Sequence, residues 1–476
     1  MIDGLKPYPA YQDSGVRWLG EIPTHWEVTP IGRIGTLMKG SGGTKADDSI
    51  SGVPCIRYGD LYTRHEFFIR STRSFVTQER SAEYTPVSYG DVLFAGSGET
   101  IEEIGKSAVS LITSRACCGG DVLLLRPTHE VVPGFLGYAS DCDSSVHQKA
   151  IMGRGVTVMH IYADRLKYLW LPFPPLPEQA AIVRFLDHAD WRIRRYIAAK
   201  KKLIALLNEQ KQAMVDSAVT LGVPRCERFQ LLGSAPPARV NAAWETARLW
   251  AVAQIRSEKK RPDLGLLSVF LGRGVILYGE GGGQVHKPSL DLAEYQVVHT
   301  GDLVLNNQQA WRGSVGVSSH YGIISPAYVV LRLDGSLDPR YASYLFSSRS
   351  MVAQFVTSSK GVGDIQRDVH IPWLKNVRIP IPPREDQATI VEHLDRRLAD
   401  LEHHALRSER EIVLVQEYRT RLIADVVTGK LDVRDAAVRL PDEVEEPEPL
   451  DAEALVGGDE SEDEVDLDGA AREVDG

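Results

Sequence analysis

The chain has 476 residues, is 43% hydrophobic and 25% charged, and carries a formal net charge of −10, a composition that fits two or three ordinary globular domains of ~100–200 residues each. No apolar run approaches the ~20 residues of a membrane span, and residues 1–11 lack the charged-then-apolar pattern of a secretory leader. Five cysteines without a C-x-x-C pair argue against a disulfide framework or a structural zinc site, so a cytoplasmic chain with reduced thiols is the expectation.

In chain order, an N-terminal arm (1–20) leads into a mixed α/β segment (21–175) opened by Trp26-Glu27. Gly90-Asp91-Val92-Leu93 and Val122–Arg126 read as strands of its core. From Glu178 to about Val215 there is neither Pro nor Gly, and Gly222 and Pro224 mark the stop, which predicts a long helix within 176–222. A second mixed segment (223–383) opens with Trp244-Glu245 and carries Gly301-Asp302-Leu303-Val304 and Tyr328–Arg332 at comparable places. A second long helix is predicted within 384–430, ending at Gly429. Residues 431–476 read as an acidic, disordered tail. Sixteen acidic residues and one basic residue, Arg472, lie from Pro441 on, which leaves 48 acidic and 53 basic residues before it. The body is therefore mildly basic. By charge alone the tail suits basic clefts of the body.

The two helix starts are repeats of one another. PFPPLPEQAAIVRFLD (172–187) and PIPPREDQATIVEHLD (380–395) match at a constant offset of 208, through Pro174/Pro382, Gln179/Gln387, Ile182/Ile390, Val183/Val391, Leu186/Leu394 and Asp187/Asp395. The register continues to Val219-Thr220/Val427-Thr428. A helix of ~38 residues is ~57 Å long, more than one small core can cover. Leu186, Ile193, Leu207 and Met214 fall on one heptad position, and Leu394, Leu401, Val415 and Leu422 on its counterpart. Lys200 and Ser408 fill the gaps. Seven-residue spacing predicts a coiled-coil seam, and an antiparallel pairing would place the two polar positions at mid-coil. The bland alternative is two amphipathic helices, each lying on its own domain. The fold class expected is α+β: two globules separated by two long helices that pair as an antiparallel coiled coil, with an internal pseudo-two-fold repeat.

Motifs for chemistry are incomplete. Gly105-Lys106-Ser107 lacks the earlier Gly of a phosphate-binding loop, where Thr100 stands. His129-Glu130 has no second His for a zinc-protease pair, and Ser257-Glu258-Lys259-Lys260 has no acidic partner at nuclease spacing. Cys117-Cys118 precede a strand and read as packing. No Asn/Asp-Pro-Pro-aromatic loop of a DNA amino-methyltransferase is present. A binding protein is the better reading than an enzyme.

Two dissimilar globules alternating with two repeated helices, each introduced by Pro-rich Glu/Asp-Gln-x-x-Ile-Val-x-x-Leu-Asp, resemble the specificity (S) subunit of type I DNA restriction–modification systems. Asp13–Val28 and Gly301–Asn307 resemble the same family. The likeness spans about residues 13–430, and the acidic tail stands outside it. It implies that 21–175 and 223–383 are target recognition domains, each reading one half of a bipartite, asymmetric sequence in double-stranded DNA, with the helices as spacers. It also implies two methyltransferase (M) partners that carry S-adenosylmethionine, a restriction (R) subunit where one exists, and no cofactor, metal or catalytic residue in this chain. A coiled-coil interaction scaffold without sequence-specific DNA binding is the competing reading.

Base reading favours Arg or Lys to guanine and Asn or Gln to adenine. In the second globule the candidates are Asn306, Asn307, Gln308, Gln309, Trp311 and Arg312, then Lys360, Gln366 and Arg367. In the first they are Lys39, Lys45, Arg57, Tyr58, Arg64, Lys106 and Arg154. Single basic loop residues are more often simply solvated. The helical cluster Arg192, Arg194, Arg195 and Lys200–Lys202 reads as a solvated face or as a contact for M or the DNA backbone.

Overall fold

The computed structural model describes residues 5–155, 158–232, 237–280, 288–289, 291–362 and 366–441. The Pro/Gly-free stretches form two long helices, a central one at Leu176–Leu221 and a C-terminal one at Arg384–Val427. The chain divides into two compact units, Met1–Lys200 with Arg410–Gly476, and Lys201–Glu409. Each unit therefore contains one globule and a segment of both helices.

In the first unit a five-stranded sheet runs in the order Gly35–Lys39, Val122–Pro127, Val92–Ala95, Ser107–Ser110, Phe68–Ile69. All its pairings are antiparallel except the last. Alternation along the strands decides which residue faces which layer. Val92, Phe94, Leu123 and Leu125 pack towards the Pro133–Asp141 helix and the long helices. Leu93, Ala95, Val122 and Leu124 pack towards Ile56, Leu61 and Cys118. Both faces are covered, which explains why Val122–Leu125 reads as an unbroken apolar run. Cys117 and Cys118 are buried on a strand of a second five-stranded sheet, in keeping with a packing role.

The second unit repeats this logic with a four-stranded antiparallel sheet: Ala253–Ile255, Tyr328–Leu333, Leu303–Asn306, Val315–Val317. Leu303, Leu305 and Leu331 face the helices, and Val304 and Val330 face a separate cluster with Val269, Val298 and Ile324.

The long helices run antiparallel within each unit. In the first, Tyr196 and Lys200 meet Glu411 at 3.0 and 2.7 Å, and Asp190 meets Arg419. In the second, Lys211 meets Glu402 at 2.5 Å. Of the seam positions, Leu186, Ile193, Leu394 and Leu422 are buried, and Leu207, Met214, Leu401 and Val415 are half-buried. Lys200 of the polar layer is thus paired across the seam, and Ser408 is buried.

The repeated motif has a mechanical purpose in both units. Trp26 Nε1 donates to Glu178 at 2.9 Å, and Trp244 Nε1 donates to Asp386 at 2.8 Å. Gln179 accepts from the Val132 backbone N–H and donates to the Pro174 carbonyl, both at 2.9 Å. Gln387 likewise accepts from Asp338 N–H at 2.6 Å and donates to the Pro382 carbonyl at 2.9 Å. Tyr138 and Tyr344 hydroxyls donate to Asp187 and Asp395, each at 2.7 Å. Burying unpaired amides would be costly, so the Gln side chains satisfy the loop that starts each globule helix and anchor it to the long helix.

One boundary differs from the sequence reading. The tail does not begin at 431, because Leu431–Leu440 belongs to the first unit. Val433 and Ala437 are buried, and Arg434–Val438 is helical. Arg434 pairs with Asp432 at 2.7 Å and Glu178 at 3.4 Å, and Lys6 forms a bridge with Asp432. The cause is compositional: LDVRDAAVRL balances two acids with two arginines and carries an apolar stripe, and acid enrichment starts only at Asp442. Residues 442–476, including the expected disorder, lie outside the described residues. The N-terminal arm is also tied down, through buried Tyr8 and the Tyr11 hydroxyl bond to the Gly429 carbonyl at 3.2 Å. Among the described residues no helix is long and apolar enough to cross a membrane.

Candidate nucleic-acid interface

In the second unit, two candidate segments separated by about fifty residues converge. The strand Leu303–Asn306 ends in a tight turn, with Asn306 accepting from the Gln308 N–H at 3.0 Å and Gln309 N–H donating to the Asn306 carbonyl at 3.2 Å. A short 3-10 turn, Ala310–Arg312, follows and closes on Gly313 in the left-handed region, φ 98°, which suits glycine. The hairpin Ser359–Val362/Gln366–Val369 packs beside it. Val369 N–H donates to the Asn307 carbonyl at 2.9 Å, and the Asn307 amide lies 3.5 Å from Asp368. The indole of Trp311 is covered by two guanidinium groups, Arg312 at 4.7 Å and Arg367 at 5.2 Å from its ring centre. Its Nε1 donates to the Gln308 carbonyl at 2.8 Å, which sets the ring plane.

Gln308, Gln309, Arg312 and Lys360 are exposed, and Asn306, Asn307, Trp311 and Arg367 are half-buried. The Gln366 side chain lies outside the described residues. The cluster combines amides, guanidinium groups and one aromatic face on a rigid strand end. That chemistry suits base edges and phosphates together.

The first unit builds the same frame with other side chains. Ile161 N–H donates to the Gly96 carbonyl at 3.0 Å, as Val369 does to Asn307. Arg154 and His160 exchange backbone bonds at 2.9 and 2.7 Å. Ser97 Oγ meets His160 Nδ1 at 3.0 Å, and the Tyr62 hydroxyl donates to the Ser97 carbonyl at 2.9 Å. Glu99, Glu102 and Glu103 occupy this loop, where the second unit has amides, Trp311 and Arg312. Beneath it lies a buried charge cluster. Lys149 Nζ donates to Asp141 at 2.8 Å, Ser107 Oγ at 3.2 Å and the Ser140 carbonyl at 2.9 Å. Burial pulls the Lys149 pKa below its ordinary value, against the pull of Asp141.

The other first-unit candidates divide. Arg57 is committed to its own unit: its guanidinium donates to Asp48 at 2.5 Å and to the Gly43 and Thr44 carbonyls at 3.1 and 3.0 Å. Lys106 pairs with Asp141 at 2.5 Å. Arg57 acts as a clamp on the loop that presents Lys45, and Lys106 as a lid on the buried cluster. Arg64 lies 3.5 Å from Asp60. Lys39, Lys45, Tyr58 and Arg154 are exposed. In the helical cluster, Arg194 is tied to Glu66 and Asp190 at 2.5 and 2.6 Å, while Arg192, Lys201 and Lys202 are exposed.

The frame is shared with known proteins. Over 434 residues the chain is 25% identical to a candidate MjaX type I restriction enzyme specificity subunit of Methanocaldococcus jannaschii, covering 87% of this chain and 96% of that protein. Over 436 residues it is 23% identical to the MjaVIII type I specificity subunit of the same organism, covering 87% and 95%. The chain is similar to type I specificity subunits. A solved chain from a study of complex assembly and conformational transition of the type I R-M system shares its fold, with a TM-score of 0.64 and 18% identity over 86% of this chain and 99% of that one. No family model matches. Within this frame, sequence reasoning missed Ser97 and His160, because neither stands in a basic or amide-rich run. The one available signal was their position relative to Gly90-Asp91, which the repeat sets opposite Gln308 and the second hairpin.

Proposed function

We propose that this chain is the DNA-recognition subunit of a type I restriction–modification assembly and carries no catalytic chemistry of its own. Residues 21–175 and 223–383 each read one half of a bipartite, asymmetric DNA sequence. The paired helices 176–222 and 384–430 set the spacer and offer the docking surface for two M subunits, which bind S-adenosylmethionine. An R subunit joins that core where the system includes one, and the assembly works in the cytoplasm. The observation that carries this reading is the shared frame with unlike tips. Both units anchor a strand-end turn to a later segment through the same backbone bond, Ile161 to Gly96 and Val369 to Asn307. The side chains displayed differ, as two unlike half-sites require. Phosphate contacts by Lys39, Lys45, Arg64, Arg154 and Lys360 would position the duplex, and the Asn306–Arg312 turn with Gln366 and Arg367 would read bases.

The test is a domain exchange within the assembled methyltransferase. Replacing residues 21–175 by another globule should change one half of the methylated motif only. A change in both halves would sink the assignment. No methylation motif at all, with intact partner binding, would favour the interaction scaffold. Inserting one heptad in each long helix should lengthen the spacer and leave both halves unaltered.

A further inference from the structure

The run Ser257-Glu258-Lys259-Lys260, which lacks the acidic partner of a nuclease, has a different use in the second unit. Most charges in and around it are committed. Glu258 meets His299 Nε2 at 2.9 Å and Arg256 at 4.0 Å, Lys259 pairs with Glu294 at 2.9 Å, and Arg261 pairs with Asp263 at 2.7 Å. Lys260 is exposed, and among the described residues its ammonium has no ion-pair partner.

Lys260 also sits at φ 67°, the one non-glycine residue with positive φ among those described. A Cβ crowds the backbone in this region, so it normally falls to glycine. The first unit supplies the comparison. An offset of 218 aligns Trp26 with Trp244, Ile31 with Leu249 and Gly35 with Ala253, where matching short helices and strands begin. The same offset sets Lys260 opposite Gly42, at φ 140°. Lysine is held in this place by its neighbours: its N–H donates to the Ala293 carbonyl at 3.2 Å, and Lys259 forms a bridge with Gln296. A side chain presented from a strained backbone is a mark of a functional position.

Those contacts also connect Lys260 to the base-reading turn. Gln296 Nε2 donates to the Tyr328 carbonyl at 2.7 Å, Tyr328 pairs with Asn306, and Asn307 N–H donates to the Ala327 carbonyl at 3.2 Å. Lys259, Gln296, Tyr328 and Asn306 thus form one bonded row, with Lys260 beyond one end and the Ala310–Arg312 turn beyond the other. An ammonium is a compact charge on a flexible stem, suited to a phosphate oxygen. We propose that Lys260 contacts one backbone phosphate of the DNA, flanking the bases read by the Asn306–Arg312 turn. This contact rests on the proposed function.

The test measures duplex binding by the assembled methyltransferase complex across a salt series. Lys260→Ala should weaken binding about three- to tenfold at about 0.1 M salt for every sequence, and should lower the slope of log affinity against log salt by about 0.9. Lys260→Arg should restore both. Lys260→Gly should bind DNA as weakly as Lys260→Ala but melt at a higher temperature, because glycine fits the left-handed backbone. A neutral methylphosphonate scanned along the duplex should reproduce the loss at one position and add nothing to Lys260→Ala there. That position should lie in the half-site that survives exchange of residues 21–175. An unchanged salt slope, affinities that follow stability among the variants, or a sensitive phosphate in the other half-site overturns the contact. A parental complex without sequence-specific binding would sink the proposed function, and this contact with it.

Discussion

The two units solve one mechanical problem with one device and display different chemistry on it. In both, a tryptophan, a glutamine and an aspartate–tyrosine pair bind the globule to the long helix. Above that level they diverge. The second unit presents Trp311 with Arg312 and Arg367 against its ring. The first presents a glutamate-rich loop over a buried lysine cluster. The contrast teaches that the frame and the tip are separable. Backbone bonds and buried polar pairs specify the frame, so the exposed side chains can vary without moving it.

The largest expected effect breaks the comparison from below. Lys149→Met removes a fully buried ammonium that has no counterpart among the described residues of the second unit and leaves Asp141 one partner short, costing about 3 kcal/mol. Chemical denaturation should show the loss in the first unit only, and a neutral result would mean the cluster is dispensable. Next, Trp311→Ala should weaken specific DNA binding of the assembled complex by about 1–3 kcal/mol, by unseating Arg312 and Arg367. Discrimination should relax in one half-site and stay intact in the other, as read by methylation of mismatched duplexes. Gln179→Ala and Gln387→Ala should each cost about 1–2 kcal/mol by orphaning a loop N–H. Equal losses would sharpen the idea of a shared device, whereas a loss at one site alone would break it.

The smallest effect is a pH dependence at one carboxylate of the first unit. Burial disfavours the Glu66 carboxylate, but hydrogen bonding to Arg419 and the charges of Arg419 and Arg194 prevail and hold its pKa below the ordinary value. A depressed pKa stabilises the fold above the unfolded carboxylate value of about 4.3 and loses that contribution as pH falls through the folded value. Glu66→Gln should therefore flatten the acid limb of a stability–pH curve, measured by thermal melts between about pH 5 and 2. An unchanged limb would remove Glu66 from the network that joins this globule to the helices.

Much of the frame was legible in the residues. Heptad spacing and the absence of Pro and Gly locate both helices, because helical periodicity is a local property of the chain. Mixed segments with strands at Val92 and Leu303 follow from short apolar runs between glycines. The end of the folded part was less legible, since Asp432 and Asp435 look like the start of an acidic tail until Arg434 is seen paired with Asp432 and Glu178. Among the interface candidates, Arg57 and Lys106 look no different from Lys45 in sequence. Only folding brings Asp48 and Asp141 to them.

The sequence by itself determined the repeat, the two helices, the two dissimilar globules and the acidic terminus, because each is written in neighbouring residues or in a constant offset. Tertiary structure alone decided that Asn306–Arg312 and the paired strands Ser359–Val362 and Gln366–Val369 lie together. It also decided that Ser97 meets His160. These depend on segments distant in sequence being brought together by sheet pairing and core burial, and no local pattern encodes which charges will find a partner once the chain closes.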